Sequence, residues 1–160
     1  MVDFPDGFLP ISFAHQYAPY MSSINAIGNT VFVDLTDVTL SAGTTGVVLS
    51  LTGKGSLRKL DCIIKAQSET SLETLKDVVV YTEIDGSGLY GMDLETLFGL
   101  ALTSYSQGRI VLTRFDDFTM QYGVGIYRQV RFDENFKFAL KNPYDEDIIV
   151  QLLSEYEILL

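Results

Sequence analysis

From Thr30 onward the apolar residues recur at a period of two, the spacing of a strand whose successive side chains point to opposite faces of a sheet. Val31, Phe32, Val33 and Leu35 form the first run, and Val38 and Leu40 continue it. Ser41 to Gly46 reads as a turn and Val47 to Thr52 as the next strand. Gly53-Lys54-Gly55-Ser56 then interrupts the pattern before Leu57, Leu60 and Cys62-Ile63-Ile64, which predicts a bulge or tight bend between two strands. Val78-Val79-Val80-Tyr81 leads into Asp85-Gly86-Ser87-Gly88, a strong turn signal. Further strands are predicted at Ile110-Val111-Leu112, at Val124-Gly125-Ile126-Tyr127, and where Phe136, Phe138 and Leu140 share a face. Asn142-Pro143-Tyr144-Asp145 turns the chain into a last strand, in which Ile148, Val150, Leu152, Tyr156 and Ile158 share parity.

One segment has helical spacing instead. Asp93 is a natural N-cap, and Leu94, Leu97, Phe98, Ala101 and Leu102 follow at intervals of three and four. Residues 1–29 follow neither period: Pro5, Pro10 and Pro19 are spaced among Phe4, Phe8, Phe13, Tyr17 and Tyr20, and proline at that density prevents a long helix. Some eight short strands with one small helix predict an all-β fold, an antiparallel β-sandwich or jelly roll. An α/β fold would need helices between successive strands. The expected organisation is an irregular N-terminal arm over 1–29 and a single β-sandwich domain over 30–160. An apolar, aromatic segment without periodicity gains order by lying along a surface, its own or a neighbour's, so Phe4, Phe8, Phe13, Tyr17 and Tyr20 are the candidate partner-binding residues.

Composition narrows the function classes. At 160 residues with 47% apolar side chains, the chain suffices for one core and is too apolar for intrinsic disorder. Its formal charge of -10 argues against nucleic acid, because affinity for phosphates comes from Lys and Arg displacing counterions. No Lys or Arg precedes Lys54, so the first third carries only acids, which suits either solubility or a basic partner surface. The start Met-Val-Asp-Phe-Pro-Asp-Gly lacks the basic and apolar regions of a signal peptide, and no stretch approaches the roughly 20 apolar residues of a membrane span. Cytoplasmic synthesis without secretion and no membrane contact are expected.

Residues suited to chemistry are sparse. His15 is the only histidine and Cys62 the only cysteine, far apart in sequence and without a supporting motif for nucleophilic catalysis or zinc. Cys62 reads as a small buried residue of a strand. The acids Asp116-Asp117, Asp133-Glu134 and Asp145-Glu146-Asp147 fall in turns, where carboxylates mostly bond local backbone. Two facing acids could process a glycan, with Tyr90, Tyr105, Tyr122 and Tyr127 as a stacking platform, and clustered acids could hold calcium. The ordered EF-hand spacing is absent, and neither a catalytic residue nor a cofactor or metal is assigned. The Lys54 loop lacks the spacing of a phosphate loop, and Tyr122-Gly123-Val124-Gly125 suits a strand where another backbone comes close.

Three stretches together resemble a known group: Gly53-Lys54-Gly55-Ser56-Leu57-Arg58-Lys59-Leu60, then Glu83-Ile84-Asp85-Gly86, then Phe136-Lys137-Phe138-Ala139-Leu140-Lys141-Asn142 followed by Glu155-Tyr156-Glu157. They resemble β-sandwich virion proteins of tailed bacteriophages, in capsid decoration, head-to-tail and tail components. The resemblance implies a non-enzymatic subunit, made in the host cytoplasm and located in the virion, that repeats with symmetry as a homo-oligomer, commonly a trimer or larger ring. Its partners would be other copies of itself and other virion proteins, and its arm would touch a neighbour. The alternative is a carbohydrate-binding or glycan-processing β-sandwich module built on those tyrosines with Asp116, Asp117 or Asp133.

Overall fold

The computed structural model describes residues 30–67, 74–102 and 110–159, apart from the side chains of 30, 88–90 and 100–102. Among the described residues ten strands and one helix follow in the order β1 (Thr30–Leu40), β2 (Thr45–Thr52), β3 (Gly55–Ala66), β4 (Val79–Ile84), β5 (Ser87–Asp93), α1 (Leu94–Leu102), β6 (Val111–Asp116), β7 (Gln121–Ile126), β8 (Val130–Phe132), β9 (Asn135–Lys141) and β10 (Ile148–Ile158). The predicted arm, with Phe4, Phe8, Phe13, Tyr17, Tyr20 and His15, lies outside the described residues.

Two antiparallel sheets form an all-β sandwich. One runs β1-β10-β3-β7-β6, with β8 beside the first residues of β3; the other runs β2-β9-β4-β5. The pairings β1 with β10, β2 with β9, β3 with β7 and β8, and β4 with β5 are those of one long hairpin whose arms separate progressively in sequence. Rolling that hairpin on itself brings β10 against β3 and β9 against β4, and this is the jelly roll.

The core is the inward parity of each strand. Leu60, Cys62 and Ile64 of β3, Tyr122, Val124 and Ile126 of β7, and Ile148, Val150 and Leu152 of β10 are all buried. Leu49 and Leu51 of β2, Val80 of β4, and Phe136, Phe138 and Leu140 of β9 complete the same cluster from the other sheet. Each such side chain contributes about 1.5–3 kcal/mol on leaving water. Helix α1 closes one side: the backbone N–H of Thr96 donates to Asp93 Oδ1 at 2.6 Å, the expected N-cap, while Leu94 and Leu97 are buried and Phe98 stacks on Phe115 at 4.5 Å.

The turns come out as their residues predict. Asp85 and Gly86 both have positive φ, 52° and 70°, the pair needed for the two-residue turn that matches strand twist. The break at Gly53 is the corner where the chain leaves one sheet for the other: Gly53 sits at φ 100° and donates to Glu134 O at 2.8 Å, and a Cβ on Gly55 would stand 2.2 Å from Glu157 O. Two strands have no prediction behind them. In β5 the glycines Gly88 and Gly91 dilute the alternation, and β8 has only three residues.

The stretches that carried the resemblance meet in space. The Asp85 carboxylate accepts from the backbone N–H groups of Asp133, Glu134 and Asn135 at the entry to β9, and Gly55 backs onto Glu157. At the end of β9, buried Asn142 donates to Leu40 O, Ser41 O and Glu146 O, tying the turn after β1 to the loop before β10. These residues build corners of the sandwich.

Candidate functional site

A strand at the border of a sheet leaves half of its backbone N–H and C=O groups without a ladder partner, so it is either protected or open to another strand. Among the described residues five strands stand at borders, β1, β6 and the three-residue β8 in one sheet and β2 and β5 in the other. Three of them pair irregularly: the register shifts between Leu112 and Arg114 in β6, between Val47 and Leu49 in β2, and between Thr82 and Ile84 where β4 meets β5. Strand β1 has no such device. It runs in unbroken register from Thr30 opposite Ile158 to Leu40 opposite Ile148, contains neither Pro nor Lys, and among the described residues pairs only with β10. Its 11 residues make an edge roughly 37 Å long.

The register also assigns the faces of β1. Leu40, Val38 and Thr36 stand opposite the buried Ile148, Val150 and Leu152, so even positions face inward and odd positions outward. On the outward face Val33 is 47% exposed and Leu35 76%, with Leu35 directly opposite Leu153. Phe32 shares the inward parity yet is 40% exposed, and it stacks on Tyr156 with ring centroids 5.3 Å apart. The Tyr156 hydroxyl donates to Asp34 Oδ2 at 2.6 Å; burial first and this carboxylate second push the phenol up to about 12. An open backbone, an apolar stripe and two carboxylates, Asp34 and Asp37, thus lie on one strand.

Beside this edge the outward face is polar and internally paired. Lys59 Nζ lies 2.7 Å from Asp61 Oδ2 and 5.8 Å from the centre of the Tyr127 ring, and the Tyr127 hydroxyl donates to Asp61 Oδ1. Burial alone would raise the Asp61 carboxyl, but the bonds from Lys59 and Tyr127 outweigh it and hold it below its usual value. The bond to Asp61, helped by burial, pushes Tyr127 up to about 12. The Tyr127 ring occupies the space a side chain on Gly125 would need. At Gly125 the close approach is made by this ring, and at Gly123 by the Thr113 side chain and the Arg114 backbone of β6. Arg58 bridges Glu155 and Glu157 on the neighbouring strand.

Among the described residues, the candidate tyrosines and acids do not share one open surface, although Tyr122 and Asp117 are bonded to each other. Tyr122 is buried and cannot present a stacking face; Tyr127 is half exposed, the side chain of Tyr90 is outside the described set, and so is Tyr105. Asp116 accepts from the backbone N–H groups of Phe118 and Thr119, Asp117 from the hydroxyls of Thr74 and Tyr122, and Asp133 pairs with Lys54 at 2.9 Å. Asp147 accepts from the backbone N–H of Ala42. Among the described residues no group of three or more His, Cys, Asp and Glu side chains is placed to hold a metal ion. Cys62 is buried and its thiol is pushed up to about 12, which removes the thiolate needed for reactivity.

Two features are not predicted from local pattern. Leu35 reads as one more alternating residue, and the signal for its exposure is that Val31, Phe32 and Val33 are apolar on both parities, as in a strand needing cover on two sides. Phe118, 97% exposed, tips the β6–β7 hairpin, where the Asp116 side chain and Met120 at φ 51° shape the turn. Comparison with protein-family models and with curated proteins found no match for this chain.

Proposed function

We propose that this protein is a non-enzymatic structural subunit of a bacteriophage virion, assembling as a symmetric homo-oligomer on the capsid or at the head-to-tail or tail region. The observation that carries the proposal is β1: a long, unbroken, partly apolar border strand that directly follows the Phe- and Tyr-rich segment 1–29. Proteins that stay alone interrupt or shield such strands, and assembling ones use them. Three further facts support the reading. Jelly rolls recur in viral capsid domains. The stretches that resemble phage virion proteins supply core strands and corners of the sandwich, a scaffold role. The acids suited to catalysis are engaged by backbone, hydroxyls and Lys54.

Light scattering on the full chain across a concentration series tests the assembly. A stable oligomer of fixed number is expected, and a strict monomer at high concentration would overturn it. Virion placement is tested by purifying particles from cells that express the chain. The full chain should be found in them, and a chain lacking residues 1–22, once circular dichroism shows it folded, should not. Normal incorporation of the shortened chain would remove the role given to Phe4, Phe8, Phe13, Tyr17 and Tyr20.

A further inference from the structure

We infer that β1 pairs antiparallel with β1 of a second copy about a two-fold axis at Leu35, joining two six-stranded sheets edge to edge. The inference deepens the assembly reading and rests on it, but it makes a claim of its own about partner, register and symmetry.

The occupant follows from the strand itself. A continuous sheet keeps its faces only if odd positions meet odd and even meet even. Among such registers, an axis at Asp34 or at Asp37 would set identical carboxylates directly opposite each other, which is destabilising. An axis at Val33 or Thr36 would leave one end of each strand unpaired. With the axis at Leu35 the whole strand overlaps its copy: Thr30 meets Leu40, Val31 meets Thr39, Phe32 meets Val38, Val33 meets Asp37 and Asp34 meets Thr36. No two acids then face each other. The most exposed aliphatic side chain of the strand, Leu35 at 76%, meets its own copy beside Leu153, and the half-exposed Phe32 gains Val38 on the inward face.

Of the other border strands, β2, β5 and β6 pair irregularly with their own neighbours and β8 has only three residues, so none offers an edge as long and even. Nor does the N-terminal segment make a better occupant, because Pro5, Pro10 and Pro19 remove ladder donors and its apolar residues do not alternate. The pairing sets Thr30 of one copy beside Leu40 of the other.

Disulfide trapping in the full chain tests the register. Across the proposed axis the two Leu35 Cα atoms would be about 4.5–5.5 Å apart, within the roughly 4.4–6.8 Å that a disulfide spans. L35C should therefore oxidise to a covalent dimer. V33C alone should not, because its two copies would be on the order of 13 Å apart along the strand. V33C mixed with D37C should give a cross-linked heterodimer. The unsubstituted chain, whose only cysteine is the buried Cys62, sets the background. Circular dichroism and melting matched to the parent establish that each variant is folded, and light scattering on the parent should give two, or an even number, of 17.8 kDa chains. A folded L35C that stays uncross-linked, or an odd-numbered assembly such as a trimer, overturns the two-fold pairing while leaving the assembly reading standing. A strict monomer at high concentration removes both.

Discussion

Asp85 shows how one side chain can hold a corner. Its carboxylate accepts from three consecutive backbone N–H groups, those of Asp133, Glu134 and Asn135, at 2.7–3.0 Å, and these bonds draw its pKa below the usual 3.8. Because folding lowers this pKa, the unfolded chain takes up the proton first as the pH falls. The stabilisation is therefore complete above about pH 4 and is lost as the pH drops through the folded value. Asp85→Asn keeps a residue that tolerates positive φ but gives up the charge. It should lower the melting temperature by several degrees at pH 7, with the gap to the parent closing toward pH 2 in a thermal titration. Gly55 is the opposite case, a residue defined by what cannot be added. With Glu157 O only 2.2 Å from where a Cβ would stand, Gly55→Ala must push the β3–β10 ladder apart, and should cost about 1–3 kcal/mol in urea unfolding. Both residues shape corners of the scaffold.

Among the elements, α1 is short and depends on its ends. Asp93 ends β5 and caps the helix through the Thr96 N–H, and that bond holds its carboxyl below the usual value. Asp93→Ala should destabilise the domain by about 0.5–2 kcal/mol, measured in urea. Its effect should be absent from the β1 cross-linking experiment, because β1 belongs to the opposite sheet. Strands β9 and β10 behaved as their parity predicted, with Phe136, Phe138, Leu140, Ile148, Val150 and Leu152 all inside. The same rule could have placed Tyr122, which is in phase with the buried Val124 and Ile126 and so belongs to the core rather than to a surface platform. Strand β1 differs because alternation tells which residues share a face and is silent on whether anything covers that face. Val38 and Leu40 pack inward, while Val33 and Leu35 are left in the open.

For the whole molecule, the jelly roll explains why β1 is a border at all. Winding a long hairpin leaves its outermost strand with β10 on one side only, and this strand directly follows residues 1–29. The edge pairing inferred for β1 uses the border that this topology leaves open among the described residues. The all-β class, the turn at Asp85-Gly86, the N-cap at Asp93 and the inward sets of β9 and β10 were all determined by the sequence alone, because each depends on residues within a few positions of one another. Only the tertiary structure decided that Leu40 meets Ile148 and Gly55 meets Glu157, that Tyr127 folds over Gly125 beside Asp61, and that β1 stands at a border with Leu35 outside. Leu40 with Ile148, Gly55 with Glu157 and Asp61 with Tyr127 are 108, 102 and 66 residues apart in the chain, and local periodicity carries no information about which distant strand will supply the missing partners.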